Sequence, residues 1–548
     1  MTGNCKLQIA NCKLQIGTST ALLSMALLAH LADAAPPDVK FLFPAGAARG
    51  ATVEVTAGGN PGEWPAQVWV NRPDVSIVAG AEKGKFSVTV APDAVPGLRW
   101  VRVYNAEGAS APLPFAVGTL PETSEQEPND SPKKPQTLPS STCLVNGRLE
   151  KRGDVDTYAV SLVKGQTLVA AVTANEVLGS PMDAVLQVVS PRGSVLVQSD
   201  DERGLDPLLP FNVPADGVYL VRLFAFPATP DASISFAGGE TFIYRLTVTT
   251  GAFIDGSLPL AISREGQAEL EVFGWNLADA DQRRAIVPPA DATHVDVFSP
   301  QWADALTLPI VPHRSLVEAE PNDVAHPLPV ELPATLSGRI GGPGDKDAFR
   351  LHLIKGQPWQ FTIESRSLGY PLDAVQELFD ASGKSLVRAD DSGKDADPSV
   401  KYTAPADGDY TLVVSDLYEH GGPRYFYRLT IAPLEAEFTL SVPQHAYVLT
   451  VGKPLEIPVT IDRRQNFDRE IELEVLGLPE GVTVAPVKSV AKGDTAKTVK
   501  LVLTATSGPF SGPIRILGKS SEAGRSRLAE ALVVAGARLS ELWLTVTK

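Results

Sequence analysis

Polar and apolar positions alternate along most of this chain. Arg49-Gly50-Ala51-Thr52-Val53-Glu54-Val55 is one such run, and Arg264-Glu265-Gly266-Gln267-Ala268-Glu269-Leu270-Glu271-Val272 repeats it with one insertion. Successive side chains of an extended strand point to opposite faces, so a period of two marks strands with one buried face. Strand candidates also lie at Lys85–Val90, Trp100–Tyr104, Thr167–Val172, Tyr219–Phe224, Gln360–Glu364, Tyr410–Val414, Glu470–Val475, Lys497–Thr504 and Pro513–Leu517. Pro-Gly, Asp-Gly and Ser-Gly turn signals fall between them. Beyond the N-terminal segment no stretch sustains a helical period. The expectation is an all-β chain of tandem β-sandwich modules.

The chain also repeats itself on a longer scale. Glu125-Gln126-Glu127-Pro128-Asn129-Asp130 returns as Glu318-Ala319-Glu320-Pro321-Asn322-Asp323, and Gly153-Asp154-Val155-Asp156 as Gly344-Asp345-Lys346-Asp347. Lys164-Gly165-Gln166, Asp183-Ala184-Val185, Asp200-Asp201 and Pro214-Ala215-Asp216-Gly217 return in the same order, and each copy closes on Tyr-Arg-Leu-Thr, at Tyr244 and Tyr427. A period near 190 residues is far too long for a solenoid repeat, so whole domains are duplicated. The predicted order is a targeting segment (1–34), a small sandwich (38–118), a larger one (122–250), a partial small module (251–312), a second larger one (315–433) and a terminal Ig-like sandwich (436–548).

The first 34 residues read as a signal peptide. Lys6 and Lys13 precede an apolar run from Ala21 to Ala32, and Ala32-Asp33-Ala34 offers a small-x-small cleavage pattern. The run is short for a membrane span, which needs about 20 apolar residues. The doubled Asn-Cys-Lys-Leu-Gln-Ile at residues 4–9 and 11–16 leaves open a start nearer Met25. Export to the medium or the cell envelope (periplasm or cell surface) is expected, with no transmembrane segment in the mature chain. Cleavage would leave Cys143 as the one cysteine, read as a buried strand residue. A formal net charge of −16 argues against nucleic-acid binding.

That acidity is locally patterned. Glu125 and Glu127 alternate, as do Asp154 and Asp156; Pro128 keeps the linker out of a helix, and Asn129 and Asp130 add an amide oxygen and a carboxylate. Two carboxylates held 4–6 Å apart repel by about 1–3 kcal/mol, and a divalent cation reverses that sign. Calcium takes six to eight oxygen ligands. Glu125, Glu127, Asn129, Asp130, Asp154 and Asp156 are therefore candidate calcium ligands, and so are Glu318, Glu320, Asn322, Asp323, Asp345 and Asp347 in the second copy. The competing reading is a solvated acidic linker. Asp200-Asp201 and Asp390-Asp391 follow strands and read as turn formers.

The leading Glu-x-Glu-Pro-Asn-Asp, the Gly-Asp-x-Asp-x-aromatic strand, the paired Asp and the Ala-Asp-Gly-x-Tyr strand together resemble the bacterial pre-peptidase C-terminal (PPC) domain family. This family includes domains trailing secreted proteases and the collagen-binding domains of clostridial collagenases. The resemblance covers both larger modules. It implies a jelly-roll-like sandwich, a non-catalytic role in targeting, binding or secretion, and calcium held through the linker. Residues 38–118 more loosely resemble the immunoglobulin-like TIG/IPT fold through Phe43-Pro44 and Pro96-Gly97, and 251–312 do so more weakly.

Catalytic patterns are missing from the sequence. No Gly-x-Ser-x-Gly elbow, His-Glu-x-x-His or phosphate loop occurs. His352, between Leu351 and Leu353, reads as a solvent-facing strand position. Tyr219, Phe224 and Phe226, with Tyr410, Leu417 and Tyr418 in the second copy, read as core, so collagen binding is not supported. The sequence thus predicts a secreted, non-catalytic binding or structural protein, calcium-stabilised, whose partner is an extracellular protein or polysaccharide. Two alternatives are an accessory module serving a separate secreted hydrolase and a hydrolase with an unrecognised site. With ligands on both linker and domain, a calcium-stiffened rod holding its terminal module at a distance is the mechanical expectation.

Overall fold

A computed structural model describes residues 35–190, 192–230, 235–393 and 395–548; the predicted signal peptide lies outside them. These residues form strands almost throughout. Helical structure among them is limited to Asn175–Leu178 and three short 3-10 turns, and no helix is long and apolar enough to cross a membrane. The predicted strands coincide with observed ones to within a residue. Lys85–Val90 is reproduced in full, Trp100–Tyr104, Tyr219–Phe224 and Pro513–Leu517 lie inside Gly97–Tyr104, Gly217–Pro227 and Phe510–Ser520, and Glu470–Val475 and Lys497–Thr504 start one residue before Ile471–Leu476 and Thr498–Ala505.

The duplication is visible in the sheets. In one ten-stranded sandwich the first sheet runs Gln136–Thr137, Asp156–Leu162, Gly217–Pro227, Met182–Val189, Val195–Ser199. The facing sheet runs Leu208–Asn212, Thr167–Thr173, Ile243–Thr249, Thr142–Arg148, Glu122–Ser124. The second sandwich has the same order, Leu328–Val330, Lys346–Leu353, Gly408–Asp416, Ala374–Phe379, Ser385–Ala389 against Ser399–Thr403, Pro358–Glu364, Phe426–Pro433, Ala334–Arg339, Arg314–Val317. The apolar face of each strand fills the space between its two sheets: Val145, Tyr158, Leu186, Val221 and Leu246 in the first, Leu336, Phe349, Leu378, Leu412 and Leu429 in the second. Full burial of each such side chain stabilises by about 1.5–3 kcal/mol.

Smaller two-sheet units precede both. Residues 38–118 form two four-stranded sheets, and residues 253–311 two three-stranded sheets around fully buried Trp302. Strands from Glu437 to Thr547 hydrogen-bond into one continuous set that encloses a further core. Cys143 is buried, as its apolar neighbours predict, and burial pushes its thiol up to about 11. His352 faces solvent with Nδ1 3.0 Å from Asp409. Of the strand aromatics, Tyr219, Phe224 and Tyr410 are buried, whereas Phe226 and Tyr418 are exposed, so the core reading fails for those two. Phe226 stands near the end of its strand, and Tyr418 lies in the turn just after its own.

The expected rod is not what the chain forms. Trp543, near the C-terminal end, packs edge-on against Trp69 and lies 4.8 Å from the Tyr104 ring. Arg102, buried beside them, donates to the backbone oxygens of Ser110, His445 and Glu541 at 3.1–3.3 Å. The last strand set is thereby seated on the first. Asp255, in the 253–311 unit, ties both large sandwiches together: it accepts from Arg203 at 3.0 Å and from Arg424 at 2.7 Å. Burial works to raise the Asp255 pKa, but the two guanidinium groups more than offset it and hold the carboxyl below its ordinary value. These contacts join residues hundreds of positions apart, and no local pattern announces them.

Candidate cation pockets

Each acidic motif lies where its linker enters a large sandwich. In the first, Glu122–Ser124 pairs in parallel with Thr142–Arg148 and delivers Glu125 beside the end of that strand. Arg148 N donates to Glu125 Oε2 at 2.6 Å. The linker then turns at Pro128, Asn129 N donates back to Glu127 Oε2 at 2.8 Å, and the Asn129 side chain is driven fully inside. Asp156 opens its strand from the opposite sheet and is equally buried.

The carboxylates gather into two overlapping triads. Glu125, Glu127 and Asp156 bring oxygens within 4.8 Å of one another, and so do Glu127, Asp130 and Asp154. Glu127 belongs to both. In the second sandwich one triad forms, of Glu320, Asp345 and Asp347. Glu318 sits beside it, accepting from Asn322 Nδ2 at 3.1 Å. Asp323 stands apart: its Oδ1 accepts from the amides of Ala325 and His326 at 2.9 Å each and lies 3.0 Å from His326 Nδ1. The expected convergence thus divides into two triads in the first copy, and in the second leaves Asp323 turned to other partners.

Both pockets withhold oxygens from water and from hydrogen bonds. Asn129 Oδ1, Asp154 Oδ1 and Asp156 Oδ1 are buried without a hydrogen-bond donor, and so are Asn322 Oδ1 and Asp347 Oδ1 at matching positions. An unmet buried acceptor costs about 1–3 kcal/mol, and more when charged. The electrostatics agree with that strain. Burial, followed by the Glu125 charge, pushes Asp156 well above the usual carboxylate range. Burial raises Asp347 too, with Glu318 as the next cause, and it raises Asp154 to about 6. The donor set is oxygen alone, which suits a hard cation such as calcium.

Two tyrosines complete the pockets, and motif reading assigned them no role. Tyr244 donates to Asp156 Oδ2 at 2.5 Å, and the Tyr427 hydroxyl lies 2.6 Å from Asp347 Oδ2 and 3.0 Å from Glu318 Oε2. Each ring lies across a glycine of the neighbouring strand: a Cβ on Gly147 would come within 2.2 Å of the Tyr244 ring, and one on Gly338 within 2.4 Å of the Tyr427 ring. The signal was available in the recurring Tyr-Arg-Leu-Thr. In the first Asp pair, Asp201 N donates to Asp200 Oδ1; in the second, Asp390 lies 3.8 Å from Arg388 Nη1; the triads found among the described residues include neither pair.

Among solved structures, a periplasmic inhibitor of g-type lysozyme from Aeromonas hydrophila is 16% identical, matching 24% of this chain and 95% of that one with a TM-score of 0.16. A Salmonella alpha-2-macroglobulin is 10% identical, matching 94% of this chain and 47% of that one, also with a TM-score of 0.16. A protein of Deinococcus radiodurans described as a probable subtilase-type serine protease is 31% identical over 240 residues. That match takes in 42% of this chain and 26% of the relative, so the chain spans about a quarter of that relative's length. Residues 154–225 match the model of the bacterial pre-peptidase C-terminal domain, a stretch that contains Asp154 and Asp156 and begins after the acidic linker.

Proposed function

We propose that this chain is an exported, non-catalytic β-sandwich assembly whose two acidic pockets hold calcium, and that it serves extracellular proteolysis as an accessory or targeting component. One observation carries the calcium reading: buried oxygens without donors recur at matching positions, Asn129 and Asp156 in one pocket and Asn322 and Asp347 in the other. A solvated acidic linker would turn these groups to water. In the first pocket Glu125, Glu127, Asn129, Asp130, Asp154 and Asp156 would hold the ion, and in the second Glu318, Glu320, Asn322, Asp345 and Asp347. A bound divalent cation supplies the positive charge that these buried carboxylates lack and fastens linker to sandwich.

The link to proteolysis is supported by the pre-peptidase C-terminal match and the subtilase-type relative. Export is supported by the same comparisons and by the apolar leader in the sequence. The non-catalytic reading rests on the missing nucleophile, zinc and phosphate-loop patterns. The partner is an extracellular protein or a polysaccharide.

Isothermal titration of the full chain with calcium, alongside thermal melting in calcium and in chelator, tests the reading. Saturable binding and a higher Tm in calcium are expected; at 100 times its Kd a ligand adds about 2.7 kcal/mol per site. A silent titration with superimposed melting curves refutes it. Peptide, ester and glycoside substrates should remain intact, and turnover abolished by a single substitution would overturn the non-catalytic reading.

A further inference from the structure

Neighbouring residues of a strand point to opposite faces, and in both large sandwiches one such pair spans two structures of consequence. Tyr244 and Arg245 are consecutive on Ile243–Thr249. Tyr244 points between the sheets and holds Asp156. Arg245 points outward and is almost wholly buried, because the first small sandwich packs over it. Its Nη2 donates to Glu122 Oε1 at 2.7 Å and its Nη1 to Asn146 Oδ1 at 2.8 Å. The guanidinium lies flat against that small sandwich: a Cβ on Gly46 would meet Arg245 Nη1 at 2.3 Å, and one on Gly118 would meet Nη2 at 3.4 Å. Glu122 also belongs to the linker, three residues before Glu125.

The second copy repeats the wiring with different parts. Tyr427 holds Asp347, while Arg428 is clamped at 2.8 Å on both sides by Glu364 and donates to Leu260 O at 3.2 Å. Leu260 belongs to the small unit upstream, and its amide donates to Ser337 Oγ at 2.8 Å. Ser337 pairs with Arg428 across the sheet, as Asn146 pairs with Arg245. The carboxylate comes from the linker in one copy and from the sandwich itself in the other, yet the arginine reaches the preceding unit in both. Arrival at one arrangement by two routes is hard to attribute to packing alone.

We infer that Tyr244-Arg245 and Tyr427-Arg428 are positioning pairs that couple each cation pocket to the small sandwich before it. This rests on the calcium reading above and extends it from the pocket to the junction between units. A cation drawing Asp156 into its ligand set fixes the tyrosine that holds Asp156, and through the same stretch of backbone fixes the arginine that seats the upstream unit. Calcium thus tightens two junctions of an already closed assembly.

Hydrogen exchange of the full chain, with and without calcium, reads this directly. The reporters are the Arg49 and Ala116 amides, bonded to Gly118 O and Ala45 O within the small sandwich on the edge that Arg245 packs against, and the Leu260 amide, which crosses the second junction. Calcium is expected to slow exchange at both by about fivefold or more, the lower end of ordinary coupling. Arg245→Lys should abolish the calcium response at the first junction only, with calcium still bound by titration. Tyr244→Phe should do the same with weakened calcium binding, and Tyr427→Phe should silence only the second junction. In each variant the unaffected junction reports that the chain is folded. Calcium bound with no response at either wild-type junction, or a full first-junction response retained in both Arg245→Lys and Tyr244→Phe, overturns the coupling alone. Absence of bound calcium in the wild type overturns the calcium reading and the coupling with it.

Discussion

The two acidic pockets are built from one motif, yet the first gathers two carboxylate triads and the second gathers one. The difference traces to Asp323, which turns to the Ala325 and His326 amides where Asp130 joins Glu127 and Asp154. A second difference lies between the matching aspartates. Val155 separates Asp154 from Asp156, and it packs with Val185, Phe224 and Phe236 into a small apolar cluster. Asp154, next to Val155 in the chain, is fully buried and keeps Oδ1 free of hydrogen-bond donors. Lys346 stands in the corresponding place and is exposed. Asp345 is half-buried, and both its oxygens are taken by amides, those of Lys346 at 2.9 Å and Gly341 at 2.7 Å. A motif thus names the oxygens, and the residues around it decide how many are withheld from water for a cation.

The largest expected effect comes from removing one charge in each pocket. Asp156→Asn should lower the calcium-bound Tm more than Asp347→Asn, since it dismantles the triad that shares Glu127 with its neighbour. About 2.7 kcal/mol is at stake per lost ion at 100 times its Kd. In chelator the sign should reverse, because the same substitution removes a buried like charge beside Glu125. Melting each variant in both conditions checks this, and equal losses in calcium would make the pockets equivalent after all.

Val155→Lys tests whether the apolar cluster keeps Asp154 from water. It should open Asp154 to solvent and weaken calcium binding at the first pocket, measured by isothermal titration. Unchanged affinity would mean that the apolar cluster is not what prepares Asp154.

A smaller effect separates the tyrosines. Tyr158 hydrogen-bonds Tyr244 through their hydroxyls, whereas Phe349 occupies its place in the second copy. Tyr158→Phe should cost about 0.5–1.5 kcal/mol of stability by chemical denaturation and weaken calcium binding at the first pocket only. The smallest effect belongs to Lys151, whose Nζ is 3.5 Å from Asp130 and 3.9 Å from Asp154. Lys151→Ala should tighten calcium binding at the first pocket by less than about fivefold, as befits an exposed ion pair, and a weaker affinity would make the lysine a helper instead of a competitor.

Sequence by itself determined the strands, the duplication and the residue types of both pockets. These are short-range properties: a period of two is fixed by the geometry of an extended backbone, and a repeated motif keeps its residues adjacent in the chain. What only the tertiary structure decided are the pairings across long separations. Tyr244 reaches Asp156 over 88 residues, Arg424 reaches Asp255 over 169, and Arg102 reaches His445 over 343. The change from Val155 to Lys346 takes its meaning from Phe224 and Phe236, which arrive from distant parts of the chain. The closure of the chain on itself was hidden for the same reason. Trp69, Tyr104 and Trp543 lie far apart in the chain and meet only when the sheets bring them together, and burial energy depends on what a side chain meets, which no local pattern records.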